Sequence, residues 1–285
     1  MKKILLASTI LVGSAGVAAA DNANFSFSGS AFFGVGYETA GGTFAPEIDS
    51  SFTVGMMSTT DHGLEFGATI TVGAPGVTWE DDHTDTAFGT FSENGMSVSD
   101  SSVYMSGDWG KLAVAYDADG SGAGATTTDW DVVATYSNTW GDFGVSAYYT
   151  FAVDGAAGTN GDLGVKGTYS FGDYSVYAKY DWDNSVTDWR VGLGGSATMS
   201  GFTVSVDAEY TNNPPSDWDW KAAADYTTGA YTIGAFVEDD GTDDLIDWGL
   251  NGSYDLGGGM SVDAAVIRDQ DTTNTLVKAG VSMAF

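Results

Sequence analysis

The 285-residue chain has no cysteine, four prolines, two histidines, and nine lysines and arginines against 39 aspartates and glutamates. Without cysteine there is no disulfide, no thiol nucleophile and no thiolate metal ligand. His62 and His83, both beside acidic residues, leave too little for a histidine-based triad or a zinc site. A formal charge of −30 repels a polyphosphate backbone, so nucleic acid is not an expected partner. Beyond the first twenty residues no apolar run reaches the roughly 20 residues of a membrane-spanning helix. What is abundant is 40 glycines and 13% aromatics beside 43% hydrophobic residues. Disordered chains are poor in hydrophobic and aromatic residues, so this one folds in spite of its charge. An all-β chain reaches this length as a single domain.

The first residues stand apart. Lys2 and Lys3 precede an apolar stretch from Ile4 to Val17, closed by Ala18-Ala19-Ala20. A positive start, a short apolar run and small residues are the pattern of a secretory signal with an Ala-x-Ala cleavage site. The expectation is a cleaved signal over 1–20 and a mature domain over 21–285. Removing Lys2 and Lys3 leaves seven basic residues against 39 acidic, a balance of −32.

The rest of the chain has a period of two. In 245–256, Ile246, Trp248, Leu250, Tyr254 and Leu256 share one parity, and Asp247, Asn251, Ser253 and Asp255 share the other. Phe202, Val204, Val206 and Tyr210 oppose Thr203, Ser205, Asp207 and Glu209 in the same way. Such alternation places the two sets on opposite faces of a strand. Tight turns are signalled at 61–63, 107–110, 141–142, 172–173, 200–201, 228–229 and 257–259, where glycine supplies the backbone freedom a hairpin needs. Longer polar connections lie near 39–48, 74–97, 118–128, 154–161, 183–187, 212–216, 239–244 and 269–274. Seven turns and eight loops join sixteen strands, with fourteen as the alternative count. No stretch of helical period competes.

A soluble sandwich buries its apolar face; a transmembrane barrel turns it outward to lipid. Three features favour the barrel. The segments have the ~9–11 residues of a tilted membrane strand. Short turns alternate with longer loops. Aromatics such as Tyr37, Phe171, Tyr174, Trp182, Trp189, Tyr210, Trp218 and Tyr231 gather at strand ends, as in an interfacial girdle. Val281, Met283 and Phe285 share one parity, so the last strand runs to Phe285 and is expected to close the barrel against the first, because lipid offers no partner to an open edge.

The segments TTDHGLEFGATI (59–70), VYMSGDWGKLAV (103–114), YSFGDYSV (169–176), SYDLGGGMSV (253–262) and the terminal LVKAGVSMAF resemble hairpins of the alphaproteobacterial general porins. The resemblance implies a sixteen-stranded homotrimer in the outer membrane of a Gram-negative bacterium. It implies contact with membrane lipid and lipopolysaccharide, and passage of ions and small hydrophilic solutes. It also gives Phe285 a role in barrel assembly. Two family features are missing. The loop after strand five, which in the family folds into the lumen with carboxylates, is here the short, nearly uncharged 118–128. The arginine cluster opposite it cannot form from Arg190 and Arg268 alone. The long loop is instead 74–97, whose Glu80, Asp81, Asp82 and Asp85 are candidates for a latch to a neighbouring subunit or a substitute constriction.

On the polar parity lie Lys166, Lys179, Arg190, Lys221 and Lys278, candidates for a basic wall. Glu65, Asp100, Asp117, Asp131, Asp162, Asp207, Asp225 and Asp247 are the acidic candidates to line the pore. Such charges set ion preference, and the surplus of acid predicts cations over anions. The bland alternative is that the bases merely neutralise nearby aspartates. Asp239, Asp240, Asp243 and Asp244 offer carboxylates to a weakly bound Ca2+, without a spacing that defines a dedicated site. No cofactor is expected. GSGAGA at 120–125 precedes no helix and is no phosphate cradle; no nucleophile has a partnering base, so no enzyme is expected. Competing readings are a structural or adhesive outer-membrane barrel that conducts nothing useful, and a secreted acidic β-protein.

Overall fold

In a computed structural model, residues 23–74, 97–117, 131–152, 161–184, 188–212, 217–239, 241, 245–270 and 272–285 are described. They contain sixteen strands: β1 (Ala23–Glu38), β2 (Thr43–Thr59), β3 (Glu65–Ala74), β4 (Ser97–Gly107), β5 (Gly110–Asp117), β6 (Asp131–Trp140), β7 (Phe143–Ala152), β8 (Leu163–Phe171), β9 (Tyr174–Asp183), β10 (Asp188–Met199), β11 (Phe202–Thr211), β12 (Asp217–Thr228), β13 (Tyr231–Asp239), β14 (Asp247–Gly257), β15 (Met260–Asp269) and β16 (Asn274–Ala284). Each pairs antiparallel with its sequence neighbours, and β1 pairs with β16, giving one closed barrel. Sixteen strands replace the alternative of fourteen. The signal expected over 1–20 lies outside the described residues.

Closure leaves no free edge. At the seam, Gly29 N donates to Phe285 O at 2.8 Å and Phe285 N donates back to Gly29 O at 3.0 Å. Tight turns gather at one end of the barrel, here the turn end. In three of them the first loop residue is a glycine in the left-handed region: Gly141 (φ 59), Gly172 (φ 62) and Gly229 (φ 59). The opposite end, where the longer connections leave, is the loop end.

The first hairpin differs from the sequence expectation. The connection expected over 39–48 is only 39–42, because β2 starts at Thr43 and pairs with β1 along its whole length. Pro46 takes a ladder position opposite Val35 without an N–H to donate. Phe44, Pro46 and Ile48 keep the outward parity of the strand that follows them, which is why the pairing continues through them.

The barrel is apolar outside. Phe236 and Ile267 are the only buried hydrophobic residues among those described, whereas Phe33, Leu193, Phe202, Ile233 and Leu250 are each more than half exposed. Along β13, Tyr231, Ile233, Ala235 and Val237 are exposed and Gly234, Phe236 and Glu238 are buried. Outward rings collect at two levels. Near the turn end Phe171 stacks on Tyr169 and Tyr174, and Phe202 packs at a tilt on Tyr226 and Tyr231 on Tyr254. Tyr210 packs between Trp189 and Trp218, and Tyr37 on Phe44, near the loop end. Two aromatic belts flanking an apolar band match the two interfaces of a bilayer.

Candidate functional site on the inner wall

Inward positions are built by the same alternation. On the wall of β8 to β12, Lys166 stands directly opposite Lys179 in register, an arrangement that like charges disfavour. Two glycines resolve it. The stem of Lys179 lies over Gly192 of the next strand, where a Cβ would come within 2.8 Å of Lys179 Cγ. From there the ammonium reaches Glu209 on β11, and stands 3.8 Å from Asp181. Lys166 instead lies 3.8 Å above the ring of Tyr177, which is itself seated over Gly194 and donates its hydroxyl to Asp207. Arg190 lies one inward position nearer the loops, with Nη1 4.0 Å from Glu209 Oε1. Tyr148 donates to Asp181 at 3.0 Å from a seat over Gly164.

The remaining predicted bases follow the same rule. Lys221 Nζ is 2.5 Å from Glu238 and sits over the Phe236 ring. Lys278 Nζ is 3.9 Å from Glu47, 95% buried in its side chain, and faces Phe32. Thus Lys179, Arg190, Lys221 and Lys278 pair with carboxylates of the inner wall, and Lys166, Lys221 and Lys278 rest on rings. The basic candidates sit on neighbouring staves, but their charge is largely returned to carboxylates of the same wall.

The acidic candidates separate by height. Asp207, Asp225 and Asp247 are inward; Asp247 is buried and accepts from Gln270 N at 2.6 Å. Asp162 lies just before β8, accepting from Asn184 N at 2.7 Å. Asp100, Asp117 and Asp131 stand opposite one another in register across β4 to β6. Glu65 is the first residue of β3, at the turn end, where it accepts from Tyr104 at 2.9 Å rather than facing the basic wall. Glu80, Asp81, Asp82, Asp85, Asp240, Asp243 and Asp244 lie outside the described residues. Asp239 takes the outward parity and accepts from Gly241 N at 3.0 Å. Arg268 is also outward at the loop end, its Nη1 donating to Thr273 O at 2.8 Å and to Thr275 Oγ1 at 3.0 Å.

Sequence reasoning missed several members of the inner wall. Lys111 is inward on β5, 4.1 Å from the Tyr104 ring, and its polar parity beside Leu112 and Val114 was the available signal. Glu209, Glu238 and Glu47, the actual partners of the bases, became visible only through cross-strand register. Phe32, Tyr104, Tyr148, Tyr177 and Phe236 break the apolar-out pattern, and each covers a glycine of an adjacent strand.

A closed barrel with an apolar exterior, paired aromatic belts and a charged interior is the architecture of a transmembrane channel of the outer membrane. The chain belongs to the Gram-negative porin family, whose model matches residues 7–275. Mutants of the Rhodopseudomonas blastica porin superpose on it. One has a TM-score of 0.67 and 19% identity, another a TM-score of 0.66 and 18%, each covering 92% of this chain and 100% of its own. A porin structure refined at 1.8 Å is 22% identical with a TM-score of 0.66, over the same shares of the two chains. No curated protein sequence matches. Family and fold are those of channels rather than enzymes, and they imply the outer membrane of a Gram-negative bacterium.

Proposed function

We propose that the barrel is a water-filled pore through which ions and small hydrophilic solutes diffuse passively, with cations preferred over anions. The observation that carries this reading is the pairing of inward bases with carboxylates of their own wall. Each such pair is locally neutral, so the surplus carboxylates set the sign of the potential in the lumen, and a low-dielectric wall focuses that potential on permeating ions. Single channels in a planar bilayer under a KCl gradient should give a reversal potential of the sign for cation selectivity. Anion selectivity refutes the preference. A silent bilayer refutes the pore itself and favours the structural or adhesive barrel.

The same reading assigns Lys166, Lys179, Arg190, Lys221 and Lys278, with the carboxylates they meet, to the lining that orients polar solutes. It gives Phe285 a role in closure and assembly. It takes 1–20 as an export signal and the working unit as a homotrimer among lipid and lipopolysaccharide. The acidic connection 74–97 serves as latch or constriction, and any Ca2+ at the acidic loop is weakly held.

A further inference from the structure

The inner wall is divided along the pore axis. Among the described residues every buried carboxylate lies at the loop end: Glu38, Glu47, Asp188, Glu238, Asp247 and Asp269. Glu38 and Asp269 end their strands, Asp188 and Asp247 begin theirs, and Glu47 and Glu238 are within four residues of that end. The other half of the wall is built from hydroxyls. Ser175 and Ser196 bond at 2.9 Å, Thr198 and Thr203 at 3.3 Å, and Thr227 and Thr232 at 3.0 Å, all within four residues of a tight turn. A polar hollow beside them on β6 to β8 is lined by Ser137, Thr139, Ser146, Thr168 and Ser170, with Asp142 of the turn as its one carboxylate. None of the carboxylates at this end is buried: Glu65, Asp225, Asp255 and Asp263 lie on strands and Asp61, Asp108, Asp142 and Asp173 in the exposed tight turns, while Lys111 adds a base over Tyr104.

We infer that the channel rectifies, passing more current when cations move from the loop end to the turn end than in the reverse direction. The inference rests on the pore reading and adds a direction to it. A strand of ten residues tilted by about 45° spans about 25 Å of membrane, so the two halves are centred about 12 Å apart. That exceeds the ~10 Å Debye length of 0.1 M salt, and the halves act as separate electrostatic compartments; at 1 M the length is ~3 Å and the distinction is screened. In the acidic half cations carry the current, whereas the hydroxyl half admits both ions. Driving cations toward the turn end sends anions the other way, and they stall at the acidic half. Salt therefore accumulates in the lumen and conductance rises. Reversing the field empties the lumen of salt, and conductance falls.

The test uses single channels of the full-length mature protein in a planar bilayer. Because the chain has no cysteine, Asp173→Cys in a tight turn marks orientation by the side from which a membrane-impermeant thiol reagent reaches it. At 0.1 M KCl the two polarities should differ in current by roughly 1.5-fold or more, with the larger current as stated, and converge at 1 M. Ser146→Asp with Thr168→Asp, which adds charge to the hydroxyl half without touching a buried group, should bring the ratio toward one. A linear current–voltage relation at 0.1 M, or the larger current in the opposite direction, overturns the inference and leaves the pore reading standing. A ratio that survives at 1 M or ignores the double variant also overturns it. A bilayer that stays silent overturns both.

Discussion

Asn274 is the most buried residue of the barrel seam, at 2% exposure, and its removal tests whether the loop end is held by polar contacts. Its Nδ2 donates to Glu38 Oε1 at 2.5 Å, and its Oδ1 accepts from Ala40 N at 2.9 Å and from Thr39 Oγ1 at 3.2 Å. Thr39 in turn exchanges hydrogen bonds with the Thr275 backbone, at 3.0 Å from its N and 2.9 Å to its Oγ1. One amide thus ties the first loop-end turn to the start of the last strand. A hydrogen bond to a charged group contributes about 1.5–3 kcal/mol and a neutral one about 1 kcal/mol. Channel water replaces part of what truncation removes, so Asn274→Ala is expected to cost about 3 kcal/mol. For a chain of this size that is a fall of roughly 6–12 °C in the unfolding midpoint. Heat-modifiable migration in detergent gives one reading, and urea unfolding followed by tryptophan fluorescence gives another. Asn274→Asp keeps an acceptor, loses the donor and sets a second carboxylate against Glu38, so it should be at least as damaging. A midpoint unchanged in both variants would refute the view that this amide pins the seam.

Glu209→Gln leaves Lys179 with only Asp181 and removes the carboxylate beside Arg190. The wall becomes more positive, and the reversal potential should shift toward anions at 0.1 M KCl but barely at 1 M, where screening acts within ~3 Å; equal shifts at both salts would argue against a lumen charge. Deleting 76–94 separates the two roles of the long acidic connection. A constriction predicts higher single-channel conductance, whereas a latch predicts an oligomer that dissociates at lower temperature in gel migration.

The strand count and the facing of most strands were legible because lipid on one side and water on the other impose strict alternation. Trp248 beside Asp247 needs no structure to be assigned to opposite faces. What was not legible depends on register, which no single strand encodes. Lys179 faces Lys166 across one ladder, and it finds Glu209 only because Gly192 leaves the intervening strand bare. Phe236 has a residue type that reads as lipid-facing, but the vacancy over Gly249 accepts it from inside. The extent of β2 was missed at Pro46, a residue that usually ends a ladder and here occupies a position where its absent N–H is tolerated. Burial of Glu47 and Asp247 was equally invisible, since carboxylates are rarely expected out of water.

The near absence of a buried apolar core has an evolutionary consequence. A soluble domain is held by interlocking side chains, so a change at one core position forces changes at its neighbours. Here the backbone ladder closes on itself, and most side chains meet a fluid, lipid or water, rather than one another. Substitutions on the lipid face can therefore accumulate almost independently, whereas inner positions stay tied through partners such as Lys179, Gly192 and Glu209. A chain 19% identical to a solved porin can still superpose on it with a TM-score of 0.67.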